Sequence, residues 1–246
     1  MTSYAQTNLE LYGQMCSEGY DGAAQEGVLH AYTLAMHLFA GLYRASGKVF
    51  VAHLIGTASA LVEARARLPV VVAGLLHAAY THGEFGDGWR SMNTVKRTRV
   101  ATVVGGEAER LIARYTVFKW RCEALSGLRT TLSGLDDTDR HVIMIRLANE
   151  LDDHLDLGIL CCPDAERRLS LLEPLAVCVD LARDLGQYRL ADALSEAFAA
   201  CRAAKIPIAT SHSSGRGSFL LAPASHRPTL RIRLAHWMTG KSAELD

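Results

Sequence analysis

A small set of side chains in this sequence could support acid–base or metal chemistry. His77 stands inside Pro69–Ala79, a segment apolar nearly all round, so its imidazole must find a partner or a cavity. Asn149, Asp152, Asp153 and Asp156 fall at i, i+3, i+4 and i+7, which puts three carboxylates on or near one helix face. Turned inward, that face can ligate a cation; turned outward, it is a solvated acidic surface, and both readings stand. Glu150 and His154, four residues apart, can pair with each other. His82 and Glu84 share the glycine-flanked loop His82–Gly88, where they can reach a ligand or simply meet solvent. Tyr80 offers a hydroxyl either to a pocket or to a partner within the core. Other chemistries lack their motifs. SHSSGRGS at 211–218 holds serine and histidine without a GxSxG elbow, and neither GxGxxG nor a P-loop is present.

The elements that must position these groups are helices. From about Tyr20 to Arg202 alanine and leucine abound, prolines are few and no period-two alternation persists. Phe50–Glu63 gathers Val51, Leu54, Ile55, Ala58, Leu61 and Val62 on one face. Pro69 sits at the first turn of the next helix, where its missing N–H costs nothing. Further helices are predicted over Gly105–Lys119, Asp137–Leu157, Asp164–Leu185 and Leu190–Ala203. The chain has 246 residues, 49% of them hydrophobic, enough for one large domain with an appendage. Composition divides it into an N-terminal segment 1–20, a helical domain 21–160, a helical extension 161–205 and a basic, partly irregular tail 206–246. Within that tail Leu230–Met238 can form a short helix or strand.

Charge and cysteine usage narrow the partners. Twenty-six basic residues balance 26 acidic ones, so no overall positive field exists to hold a nucleic acid. No apolar run is long enough for a membrane-spanning helix, and MTSYAQTNLE lacks the basic-then-apolar pattern of a secretory signal. The six cysteines form no CxxC pair, which fits a reduced, cytoplasmic protein.

Four segments in register resemble the HD-domain hydrolase module of RelA/SpoT-type (p)ppGpp enzymes, over roughly residues 30–160. Arg44-Ala-Ser-Gly-Lys-Val-Phe-Val-Ala-His53 is similar to that family's RxSGxPYxxH, with Val49 in place of proline. Ala73-Gly-Leu-Leu-His77-Ala78 stands where the family has AALLHD, and Ile145-Arg-Leu-Ala-Asn149-Glu150 where it has IKLADR. Between them, Val104–Thr116 is similar to the helix FGEEVAxLVxGVT. The resemblance implies an all-α, HD-like orthogonal helical bundle. It also implies four metal-ligand positions, here His53, His77, Ala78 and Asn149. Alanine ligates nothing, and a neutral amide is a poorer donor to a hard cation than a carboxylate. The family's water-positioning Glu-Asp pair falls on Thr81 and His82. No cofactor is therefore expected. A divalent metal, if kept, would draw on His53, His77 and Asn149, with Asp152 and Asp153 replacing lost ligands.

Function follows as an expectation with alternatives. The first is an enzyme acting on a small polar or anionic molecule without the standard metal, suited to a biosynthetic tailoring step. His53 and His77 would be the acid–base groups, Asn149 an orienting partner, and Arg44, Tyr80, His82 and Glu84 the substrate contacts. Arg44 matches the position whose guanidinium packs on the nucleotide base, though an ion pair with a helix-end carboxylate suits it equally. The alternatives are a metal-dependent phosphohydrolase with a shifted site, and a non-catalytic ligand-sensing or partner-binding module. The partner expected is a small molecule in the cavity, with no nucleic acid or membrane, and the tail can fold back over the pocket or reach a second copy in a homodimer.

Overall fold

A computed structural model describes residues 4–205 and 218–221. The protein is an all-α bundle. Helix α1 (Asn8–Ser17), within the segment preceding the predicted helices, starts on a capping box in which Thr7 and Glu10 satisfy each other's backbone N–H groups. It docks on the centre of the bundle through Ser59, whose hydroxyl accepts from the Ala5 N–H (2.9 Å) and donates to Gln14 (2.6 Å). Helix α2 (Gly22–Phe39), capped by Asp21, leads into the two-residue strand β1 (Leu42–Tyr43).

Helices α3 (Phe50–Glu63) and α4 (Leu68–Leu76) form the middle of the core. Every residue from His53 to Val62 and from Val70 to Leu76 is buried, as their nearly unbroken apolar sequence requires. A short α5 (Ala79–His82) and a loop lead to α6 (Thr94–Val104), α7 (Gly106–Val117) and α8 (Cys122–Thr131). Helix α9 (Asp137–His154), capped by Asp136, lies against α3, α4 and α7.

Two expectations change here. The helix begun at Asp137 stops at His154 rather than Leu157, because Asp156 and Leu157 adopt left-handed φ angles of 54° and 60°. The single helix expected over Asp164–Leu185 is three: α10 (Ala165–Ser170), α11 (Leu172–Leu175) and α12 (Val177–Asp184). Pro174 accounts for the break, since it has no N–H to continue the hydrogen-bond ladder and its ring crowds the preceding turn. Helix α13 (Tyr188–Ala203) closes the bundle against α9 and α12. Strand β2 (Phe219–Leu220) then pairs antiparallel with β1. The remainder of the tail, residues 206–217 and 222–246 with the element expected at Leu230–Met238, lies outside the described residues. Among the described residues no helix is long and apolar enough to cross a membrane.

Candidate functional site

The site forms where α3 and α9 touch. His53, on the first turn of α3, is fully buried, and its Nδ1 lies 2.7 Å from Oδ2 of Asp152, which is 2% exposed. A carboxylate only accepts, so Nδ1 carries the proton. The approach depends on Gly56, one turn along α3, because a Cβ there would fall inside the Asp152 carboxylate. The acidic row thus faces inward at Asp152 and is partly buried at Asp153, both on α9, and reaches solvent at Asp156, past the end of that helix.

Two cations complete the cluster. The turn after β1 bonds the Arg44 N–H to the Lys48 carbonyl (2.8 Å), which sets both side chains toward α9. Lys48 Nζ donates to Asp152 Oδ1 at 2.7 Å, and Arg44 Nη2 bridges both oxygens of Asp153 at 2.5 and 2.7 Å. Burial alone would raise the Asp153 pKa; the Arg44 guanidinium, helped by His53 and His154, outweighs it and holds the carboxyl at about 2. Arg44 also lies over the Phe50 ring, 5.6 Å from its centroid. Of its two expected roles, the ion pair with a helix-end carboxylate is the one formed.

His77 caps α4 and donates from Nδ1 to the Gly74 carbonyl at 2.7 Å. Burial, then the neighbouring His53, pushes its pKa well below the usual histidine range, so the ring is neutral. The two imidazoles stand edge-on, with centroids 5.4 Å apart, and His53 Nε2 is buried without a hydrogen-bond partner. Asn149 is half-buried and makes no side-chain hydrogen bond among the described residues.

Solvent reaches this cluster from two adjoining cavities. One, of about 180 Å³, is walled by Arg44, Ser46, His82, Asp153, Cys162 and Arg168. The other, of about 390 Å³, shares Arg44, Ser46 and Asp153 and extends to Lys48, Asp152 and Asp156. His53, His77 and Asn149, the expected acid–base and orienting groups, form no part of either wall; other side chains line both cavities. On the smaller cavity His82 is held at about 4, first by burial and then by Arg44, and is therefore neutral near pH 7. Ser218 closes that wall from the tail, fixed by stacking of Phe219 on Tyr43 at 5.4 Å. The Leu221 N–H bonds the Gly41 carbonyl at 2.8 Å, and glycine is needed there because φ is 75° and a Cβ would meet the Leu221 oxygen at 2.5 Å.

The other predicted residues lie elsewhere. Tyr80 is buried, its hydroxyl donating to Glu109 (2.9 Å), which also takes Arg97. Glu84 is exposed and accepts the Gly86 N–H. Glu150 and His154 do not form the expected side-chain pair: His154 Nδ1 lies 2.7 Å from the Glu150 carbonyl, and the Glu150 carboxylate takes the Trp120 indole at 3.0 Å. Lys48 and Arg168 were not singled out from the sequence. Lys48 lies inside the Arg44–His53 segment, a usable signal, whereas nothing local marks Arg168.

A metal can be tested against this donor set. His53, Asp152 and Asp153 offer ligand atoms all within 4.8 Å of one another and could hold an ion. Both carboxylates already carry a cationic side chain, so an ion binding there would have to displace Lys48 and Arg44. Alanine occupies the position after His77, and His77 itself is not one of the three grouped residues.

Residues 34–119 match a family described as "Domain of unknown function (DUF6817)". Two Arabidopsis thaliana proteins, each described as "Probable GTP diphosphokinase RSH3, chloroplastic", are 29% and 28% identical to the chain over 165 and 166 residues. The alignments cover 65% of this chain but only 22% of either relative. These similarities support a distant relationship to the RelA/SpoT family.

Proposed function

We propose that the protein binds a small anionic molecule, of nucleotide or phosphorylated-metabolite type, in the cleft beside Arg44, and acts on it by acid–base chemistry without the metal site of its distant relatives. The observation that carries this reading is the smaller cavity, where two guanidinium groups, Arg44 held by Asp153 and Arg168 held by Asp164 at 2.7 Å, face a neutral imidazole, His82. Each carboxylate engages one nitrogen of its guanidinium and leaves the others for an anion. Planar forks suit carboxylate or phosphate oxygens. At about 180 Å³ this space takes an anionic head group, and the adjoining cavity gives room for the rest of a nucleotide-sized molecule.

His82 would be the proton carrier that meets the ligand. The Thr81 hydroxyl donates to the Ala78 carbonyl at 3.2 Å, so His82 Nδ1–H donates to its oxygen at 2.9 Å and leaves the unprotonated Nε2 to accept a proton from substrate. An anion beside the ring raises its pKa toward neutrality, where a general base works best. Asp153 keeps Arg44 in place, and the Asp152–His53 pair behind it stiffens the α3–α9 contact. In this reading residues 21–160 are a degenerate HD-like unit whose two histidines persist beside Ala78. The free thiols among the described cysteines support a reducing compartment.

Thermal-shift titration of chelator-washed protein with GDP and with GTP tests the proposal. Binding should raise the apparent stability in a saturable way, because the ligand occupies only the folded state. His82→Gln should keep that shift and lose turnover. No shift with either nucleotide or with simple phosphomonoesters would remove the reading.

A second reading rests on the orphaned His53 Nε2 and the nearby acid pair: a divalent ion held by His53, Asp152 and Asp153. Stoichiometric Mn, Fe, Zn or Mg in protein purified without chelator, with activation on adding the ion, would select it.

A further inference from the structure

A second cavity lies away from the cleft. It occupies about 240 Å³ between the turn joining α3 to α4, the first turns of α9 and the turn before α13. Its polar walls come from Arg65, Arg67, Arg140, His141, Gln187 and Asp137, so three guanidinium groups face one carboxylate in a chain with formal net charge zero. Arg140 is twelve residues from Asp152 along α9, about 18 Å at 1.5 Å per residue, and Arg65 lies just past the end of α3 opposite to the turn that carries His53. The two sites are separate.

Two features mark these arginines as more than a solvated face. Arg140 is half-buried and has no ion-pair partner among the described residues. Burying part of a cation without an anion is unfavourable unless something else supplies one. Arg65 follows the α3 C-cap residue Ala64 with φ 53°, where the Ala66 N–H reaches the Leu61 carbonyl (3.0 Å) and the Arg65 N–H the Val62 carbonyl (2.9 Å). This left-handed cap favours glycine, and a side chain there is strained. The strain fixes where the Arg65 guanidinium leaves the backbone. Its partner Glu18 also has Arg189 at 3.5 Å, so Arg65 can turn toward a ligand without stranding that carboxylate. Arg67 pairs with Glu107 at 2.8 Å with both side chains exposed, a contact easily exchanged.

We infer that this cavity is a binding site for a small phosphoryl-type oxyanion, held by Arg140 and Arg65 with Arg67, His141 and Gln187 around it. The volume is below that usual for drug-sized ligands and suits pyrophosphate or a small phosphomonoester. The inference is independent of the cleft.

Isothermal titration of the full chain with inorganic pyrophosphate at low salt tests it, in an Arg168→Gln background that weakens the other arginine-lined cavity by taking away one of its two guanidinium groups. One saturable event should remain in that background. Adding Arg140→Gln should weaken it at least about tenfold, as loss of a charge-assisted contact does, and Arg140→Lys should recover most of the affinity. Arg65→Gly should weaken binding while leaving the melting temperature at or above its starting value, because glycine relieves the cap; a purely structural Arg65 would not separate the two. Inorganic phosphate and glycerol phosphate, run in parallel, distinguish a free anion from an esterified one. No saturable event in the Arg168→Gln protein, or one that Arg140→Gln leaves unchanged in a folded variant, would overturn the inference.

Discussion

Asp152 meets two demands with one carboxylate: Oδ2 faces His53 and Oδ1 faces Lys48, both at 2.7 Å. Asp152→Asn keeps the shape but removes the charge, leaving Lys48 unmatched and forcing the amide to choose one partner. The expected loss is about 2–3 kcal/mol, toward the lower end for breaking a buried pair because Lys48 is partly exposed. Asp156→Asn, on the exposed left-handed position of the same acidic row, should stay within about 0.5 kcal/mol, since asparagine tolerates that backbone. Urea unfolding of both variants checks the contrast, and equal losses would deny that the row is divided between interior and solvent. The spacing of the four residues was legible in the sequence, as was the pairing of a helix-end carboxylate with Arg44. Which way the face turned was not, because that depends on α3 presenting Gly56 opposite Asp152. Arg168 was illegible for a similar reason: it becomes a wall residue only because α10 packs back on the segment Leu155–Cys161 that follows α9.

At the scale of elements, the site is a contact between two helices made possible by one absent side chain. Gly56→Ala would drive a methyl into the Asp152 carboxylate and push α9 outward, at a cost of about 1–3 kcal/mol for overpacking. It should also loosen the Arg44–Asp153 pair, read as a weaker response of the protein to GDP in the thermal-shift titration. A fully wild-type response would separate the cleft from the α3–α9 contact. At the start of α1, Thr7→Ala should cost about 1 kcal/mol in urea unfolding through loss of the helix cap. The helices flanking the site, Phe50–Glu63 and that begun at Asp137, were legible from apolar periodicity and from acidic residues at the cap. The stop at His154 was not. The left-handed pair Asp156–Leu157 carries no local glycine at those positions to announce it.

For the whole molecule, the buried and half-buried histidines make stability depend on pH in a defined direction. His77 lies well below its ordinary value of 6.5 and His82 at about 4, so the unfolded chain takes up protons first as pH falls. Their contribution is complete above pH 6.5 and is lost on acidification, that of His82 by about pH 4 and amounting to at most about 3 kcal/mol. Asp153, held at about 2 against an ordinary 3.8, adds a further loss below pH 3.8. Glu150, raised by burial, works in the opposite sense, gaining stability as it protonates. The melting temperature should therefore fall from pH 7 to pH 4, and His82→Gln should flatten the upper part of that curve. A flat profile in the wild-type protein would contradict the placement of these rings.

The claim on which the account turns is that cationic side chains, rather than an ion, receive the ligand in the cleft. Isothermal titration of GDP into chelator-treated protein, wild type against Arg168→Gln, addresses it most directly. Saturable binding is expected in the wild type and should weaken at least about tenfold in the variant, since a charge-assisted contact to the ligand is lost; the Arg168–Asp164 pair is lost with it, so both proteins are titrated well below the variant's melting temperature. Binding that vanishes with the chelator, returns with Mn, and is indifferent to Arg168 would contradict it.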